Sequence, residues 1–207
     1  MKRIYLLLVT ILLFPCLTGC GFSTANNGGA LAGTVAAEQK TPETDESKVL
    51  VVYFSCTGNT RTLAEYAAEV LNADLYAIEP EIPYTTADLN YNDKSSRTTM
   101  EQNDDSARPA ISGTVENMKE YDLILLGYPI WWGEAPRIIN TFLESYDFSG
   151  KTIVPFCTSG GSGVGASATN LQGLCDDSTV WLSGTRLAGG ASRNDVSEWI
   201  NTIDIVD

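Results

Sequence analysis

The sequence predicts an α/β domain built on a doubly wound, five-stranded parallel sheet. Three observations lead there. Short unbroken apolar runs such as Val49-Leu50-Val51-Val52-Tyr53-Phe54 and Leu123-Ile124-Leu125-Leu126 read as strands buried on both faces. Stretches with a helical apolar period lie between these runs. Strand and helix alternate from Lys48 to Asp207, which calls for crossover helices on both sides of one sheet.

The elements follow in order. Val49 to Phe54 is the first strand, and a Gly-containing turn follows it. From Thr60 the period becomes helical, with Leu63, Ala67 and Leu71 on one face and Ala64 and Ala68 beside them. Ala73 to Ile78 is the second strand, and Asp122 to Tyr128 is the third. Pro136 opens the next helix, where it needs no amide donor, and Ile138, Ile139, Phe142, Leu143 and Tyr146 form its apolar face. Thr152 to Phe156 is the fourth strand, Val164 to Leu174 a helix, and Thr179 to Leu182 the fifth strand. Val196, Trp199, Ile200 and Ile203 mark a final amphipathic helix. The segment from Glu79 to Val115 is long and polar, with a helix expected somewhere in Thr86 to Gln102; a connection of that length serves as a lid, a binding loop or a solvated insertion.

Composition narrows the chemistry. The chain has 207 residues, 43% of them hydrophobic and 19% charged, which excludes a polytopic membrane protein and a wholly disordered one. It has no histidine, so a Ser-His-Asp triad, a Cys-His pair and a His-ligated metal are excluded. A net charge of −13 repels nucleic acid and anionic lipid and suits basic partners. The five cysteines, Cys16, Cys20, Cys56, Cys157 and Cys175, include no C-x-x-C pair, which argues against a zinc site or a disulfide scaffold.

Residues 1–19 read as an address. Met1-Lys2-Arg3 precedes the apolar run Ile4 to Leu17, too short for a membrane span but suited to an export signal. The run ends in Leu17-Thr18-Gly19-Cys20, which resembles the bacterial lipoprotein signal. That resemblance implies cleavage before Cys20, lipidation of Cys20, and attachment to the extracytoplasmic face of the bacterial cell membrane. Residues 20–47 are small and polar and then acidic, and read as a flexible tether; residues 48–207 form the domain.

Ligands of open parallel sheets bind beyond the carboxyl ends of the strands, so the loops after the first, third and fourth strands carry the interest. The first is Ser55-Cys56-Thr57-Gly58-Asn59-Thr60, between a buried strand and a helix N-terminus. Its amides and hydroxyls make an anion cradle without a lysine, and both Gly-Lys-Ser/Thr and G-x-G-x-x-G are absent. The second is Pro129-Ile130-Trp131-Trp132-Gly133, whose adjacent indoles diverge and leave at least one partly exposed, ready to stack on a planar ring. The third, Thr158-Ser159-Gly160-Gly161, offers hydroxyls and closely approachable amides.

A phosphate cradle, an aromatic platform and a backbone-lined wall suit flavin mononucleotide (FMN). In this order the loops resemble flavodoxin-like proteins, in particular the branch with a Pro-Ile-Trp-Trp-Gly loop. The resemblance covers Lys48 to Asp207, and Tyr84, Tyr91-Asn92-Asp93 and Ser96-Arg97 in the long insertion also look like that branch. It implies strand order 2-1-3-4-5 and an FMN site in which Ser55, Cys56, Thr57, Gly58, Asn59 and Thr60 hold the phosphate. Pro129, Ile130, Trp131, Trp132 and Gly133 would then flank the isoalloxazine with Thr158, Ser159, Gly160 and Gly161. The third loop departs from short-chain flavodoxins, which often place a tyrosine over the flavin there; here Phe156-Cys157 leads into a Gly-rich run. Cys56 and Cys157 read as small fillers. The implied function is electron transfer to a redox partner, or NAD(P)H-quinone-type reduction of a quinone-like substrate, with no catalytic side chain of the protein's own. The alternative is a tethered, non-redox binding module for a phosphorylated ligand or a protein partner.

Overall fold

A computed structural model describes residues 47–203; the expected signal, Cys20 and the tether up to residue 46 lie outside the described residues. Strand β1 (Val49–Tyr53) carries five apolar residues in a row and is buried along most of its length. It sits between β2 (Asp74–Ala77) and a later strand of the same character, Leu123–Pro129, with parallel pairing on both sides. Helix α1 (Asn59–Leu71) makes the first crossover and ends where Asn72 turns left-handed at φ 49°.

The insertion begins with β3 (Glu79–Pro80) and closes with β4 (Ile111–Ser112), an antiparallel pair that brings its two ends together. Between them helix α2 covers only Arg97–Gln102, shorter than the Thr86–Gln102 window. The reason lies in side-chain competition for the backbone. Asp88, Asn90 and Asp93 each accept a nearby amide, from Thr85, Asn92 and Ser95, and hold turns where a helix would otherwise run.

The Leu123–Pro129 strand is β5. After helix α3 (Arg137–Glu144) comes β6 (Thr152–Thr158), and after α4 (Ser167–Gln172) come β7 (Val180–Trp181) and β8 (Thr185–Leu187). Helix α5 (Arg193–Ile200) closes the described chain behind a capping box of Ser192 and Asp195. The sheet order is β2-β1-β5-β6-β7, all parallel, with β8 also on β6. With the small β3–β4 pair set aside, this is the expected 2-1-3-4-5 order.

The fifth strand differs from expectation. It is split into β7 and β8, both paired to β6, and Leu182 falls between them. Pro155 of β6 has no amide proton to give and sits at the gap. Gly184 crosses close by, where a Cβ would stand 2.9 Å from the Pro155 ring. Helix α4 is also shorter than the expected Val164 to Leu174.

Successive residues of the central strands point to opposite faces. Leu50, Val52, Ile124 and Leu126 pack with Ile138, Ile139 and Phe142 of α3. Val51, Leu123, Leu125 and Val154 pack with Leu63, Ala64 and Ala67 of α1 and Val196 of α5. The two cores fix the sheet so that the ends of β1, β5 and β6 meet at one rim. Among the described residues no helix is long and apolar enough to cross a membrane.

Candidate functional site

At that rim lies a cleft of about 530 Å³. From the first loop it is lined by Ser55, Cys56, Thr57, Asn59 and Thr60. Gly58 is not in the wall; it turns the chain at φ 90° and serves as the N-cap of α1. Its amide donates to Ser55 Oγ at 3.1 Å. No side chain caps the first turn of α1, whereas Ser96 caps α2 and Ser192 caps α5. The α1 amides and the positive end of its dipole are thus left for a ligand in the cleft.

Thr60 is buried, and its hydroxyl lies 2.8 Å from that of Thr158, joining the first loop to the third. A hydroxyl pair uses one of its two protons internally, so one O–H remains to donate to a ligand.

The second loop supplies Pro129, Ile130, Trp131 and Trp132. Ile130 donates its amide to Thr158 O at 2.8 Å, which fixes the loop to the end of β6. Trp131 and Glu134 exchange both backbone bonds, at 2.9 and 3.0 Å. Between them Trp132 (φ 50°) and Gly133 (φ 85°) are both left-handed, as in a type I′ turn. Asn or Gly adopts that geometry freely; for tryptophan it costs about 1–2 kcal/mol. Gly133 forms the turn and not the wall.

The two indoles diverge, as expected. Trp131 is buried, with ring centres 5.5 Å from both Phe54 and Tyr84, edge to face. Trp132 is 43% exposed and meets the exposed Tyr91 ring at 5.6 Å. Trp132 is therefore the indole with a face free for a planar ligand.

From the third loop Thr158, Ser159 and Gly160 line the cleft. Ser159 Oγ donates to Ser162 O and accepts from the Gly161 amide and from Arg186 Nε, which shapes the loop. Gly161 contributes to this shape and not to the wall.

Two contributions lie outside the expected site residues, although a binding loop is among the sequence readings of the insertion and Tyr91 is singled out in it. The insertion adds Leu89, Tyr91 and Thr98 to the lining, and the segment before α5 adds Gly189 and Gly190. The second had a signal: Ala188-Gly189-Gly190-Ala191 is the same kind of small-residue run as the third loop. Gly189 lies against Asn59, whose Cγ would be 3.1 Å from a Cβ added there. The lining contains no Lys, Arg, Asp or Glu, so an anion would be held by neutral donors alone.

The family model for flavodoxin matches residues 48–203. The chain belongs to the flavodoxin family. Two solved structures of proteins assigned as flavoproteins, from Bacteroides eggerthii and Bacteroides uniformis, are each 46% identical to it with TM-scores of 0.72. The matches cover 77% and 75% of this chain and 99% of each of theirs. A flavoprotein from Lactobacillus acidophilus in complex with FMN shares the fold at 24% identity and a TM-score of 0.55, over 75% of this chain and 99% of that one. No curated protein matches the chain.

In this flavodoxin one thiol, that of Cys56, lines the cleft. Cys56, Cys157 and Cys175 form no disulfide. Burial pushes the Cys56 thiol up to about 12, with Arg97 opposing weakly, and pushes Cys157 up to about 11. Folding raises these values, so their contribution to stability is complete below the unfolded thiol value of about 8.5 and is lost as pH climbs toward 12. At pH 8.5 Cys56 is expected to alkylate with iodoacetamide roughly a thousandfold more slowly than a free thiol, because so little thiolate is present. Peptide mass spectrometry at Cys56 would read this, and labelling at the free-thiol rate would contradict it.

Proposed function

We propose that this flavodoxin binds FMN non-covalently in the cleft and carries electrons to a redox partner or performs NAD(P)H-quinone-type reduction. One observation carries the reading: a neutral anion cradle and an exposed indole occupy the same cleft. The uncapped first turn of α1, with Ser55, Thr57 and the Thr60–Thr158 pair, would hold the phosphate. Trp132 would cover the ring, and the backbone of Thr158 to Gly160 would offer it polar contacts. The 46% identity to Bacteroides proteins assigned as flavoproteins supports the same reading. When bound, FMN supplies reversible acceptance of one or two electrons. The protein's part is to seat the ring, limit water around it and set the local charge. An acidic surface disfavours an anionic reduced ring, though salt screens that effect.

Titration of the protein with FMN tests this directly. Purified protein that is colourless and takes up no added FMN would overturn it. Thr60→Ala removes the hydroxyl that pairs with Thr158 across two loops and is expected to weaken FMN binding by about 1–3 kcal/mol. An unchanged Kd would remove Thr60 from the phosphate site. Stopped-flow oxidation of NAD(P)H with and without a quinone separates reductase from carrier.

The attachment belongs to the same proposal. The Leu17-Thr18-Gly19-Cys20 motif supports a lipid anchor at the extracytoplasmic face of the bacterial cell membrane, with the acidic domain meeting basic or neutral partners there. Labelled-lipid incorporation that persists in Cys20→Ala would overturn the anchor.

A further inference from the structure

Trp132 adopts a backbone conformation that a bulky side chain rarely takes, and something must hold it there. The reciprocal Trp131–Glu134 bonds close the turn but do not bind it to the rest of the molecule. The Ile130 amide ties the preceding residue to β6, and Asn170 of α4 donates to the Glu134 carboxylate at 3.0 Å; one further side chain grips the backbone of the turn itself. Gln102, the last residue of α2, donates its Nε2 to Trp131 O at 3.0 Å and to Ala135 O at 3.3 Å. Its Oε1 accepts the Arg137 amide, the first of α3, at 3.2 Å. A single amide therefore grips the chain on both sides of the turn and at the start of the following helix.

Gln102 is itself braced. Arg137 Nη2 donates back to Gln102 O at 3.1 Å. The preceding residue, Glu101, accepts from Arg97 Nε at 2.7 Å and from Tyr84 Oη at 2.6 Å. The Arg97 guanidinium lies 3.9 Å over the Tyr84 ring, and Tyr84 meets Trp131 edge-on. Several side chains of the insertion thus meet at this loop.

We propose that Gln102 is a positioning residue for the aromatic wall: it holds the 131–135 turn in the left-handed geometry that sets the Trp132 indole on the cleft. Its functional weight rests on the FMN reading; its geometry does not. Hydrogen bonds from an uncharged amide suit the task, since the groups gripped are two carbonyls and one N–H. A glutamate at this position would keep the acceptor and the length but lose both donors.

The experiment uses the full-length protein labelled with 5-fluorotryptophan. The chain has four tryptophans, Trp131, Trp132, Trp181 and Trp199, and Trp132→Phe assigns the resonance of interest. In Gln102→Glu without FMN, the Trp131 and Trp132 resonances are expected to shift or broaden while those of Trp181 and Trp199 stay. With FMN, the same variant is expected to bind at least about tenfold more weakly. An unmoved Trp132 resonance overturns the proposal, and so does equal movement of all four, which marks a general loosening.

A second arm reads the strain itself. Asparagine accepts a left-handed backbone readily, so in a Trp132→Asn background Gln102→Glu should lower the melting temperature by less than it does in the native background. Equal losses in the two backgrounds overturn the proposal. If the native protein takes up no FMN at all, the FMN reading fails, while the resonances and melting temperatures still decide the role of Gln102.

Discussion

Phe142→Ala is expected to lower the unfolding free energy by about 4 kcal/mol, a large share of the roughly 5–15 kcal/mol that holds a domain together. Phe142 is wholly buried on α3, and its ring meets Tyr76 at 6.1 Å, Tyr146 at 5.2 Å and Phe148 at 6.0 Å. Three large rings cannot all close over the hole, so a cavity remains and adds to the lost transfer energy. Tyr146 also accepts the Val115 amide at 2.7 Å, which ties the exit of the insertion to the same cluster. Urea denaturation would read the loss as a lower midpoint at an unchanged slope. A change below about 1.5 kcal/mol would mean that the cluster collapses, contrary to the packing described.

Gly127→Ala is expected to cost about 3 kcal/mol by the opposite route, overpacking. Gly127 lies in β5 directly opposite Phe156 of β6. A Cβ there would stand 2.3 Å from the tip of the Phe156 ring and under 3 Å from two more of its carbons. The ring is fully buried and backed by Trp199 at 5.4 Å, so it has no free direction to swing. Combining Gly127→Ala with Phe156→Leu should restore part of the loss, which a double-mutant cycle would detect as non-additivity. Gly58 and Gly133 present a contrast: nothing lies within 4 Å of a Cβ at either, and replacement there is opposed only by their positive φ.

The central strands were legible because burial on both faces leaves no polar residue to interrupt Val49–Tyr53 or Leu123–Pro129. The three loops were legible because their compositions are unusual at the ends of such strands. The division of the fifth strand was not, since it follows from Pro155 on a neighbouring strand, far away in sequence. The helix in the insertion was placed too broadly because Thr, Asn, Asp and Ser permit either a helix or side-chain turns, and only their actual partners decide. Trp131 and Trp132 were indistinguishable as letters. Their separation into a core residue and a cleft residue depends on the turn at Trp132 and on rings from Phe54, Tyr84 and Tyr91. Nothing near Gln102 in the sequence marks it, because its partners are backbone atoms about thirty positions away.

The β3–β4 pair has a consequence for the assembly of the protein. β1 must find β5 across some seventy residues, and an open chain of that length closes slowly and at an entropic cost. Pairing Glu79 with Ser112, reinforced by the bond from the Glu81 amide to Ala110 O at 2.9 Å, draws the base of the insertion shut. With that neck formed, the chain that leaves β2 re-enters beside β5 almost as though the insertion were absent. The same neck makes the insertion a detachable cassette: a short hairpin turn joining Pro80 to Ile111 would preserve the sheet's connectivity, while the Tyr84 and Gln102 contacts to the tryptophan loop would leave with the excised segment.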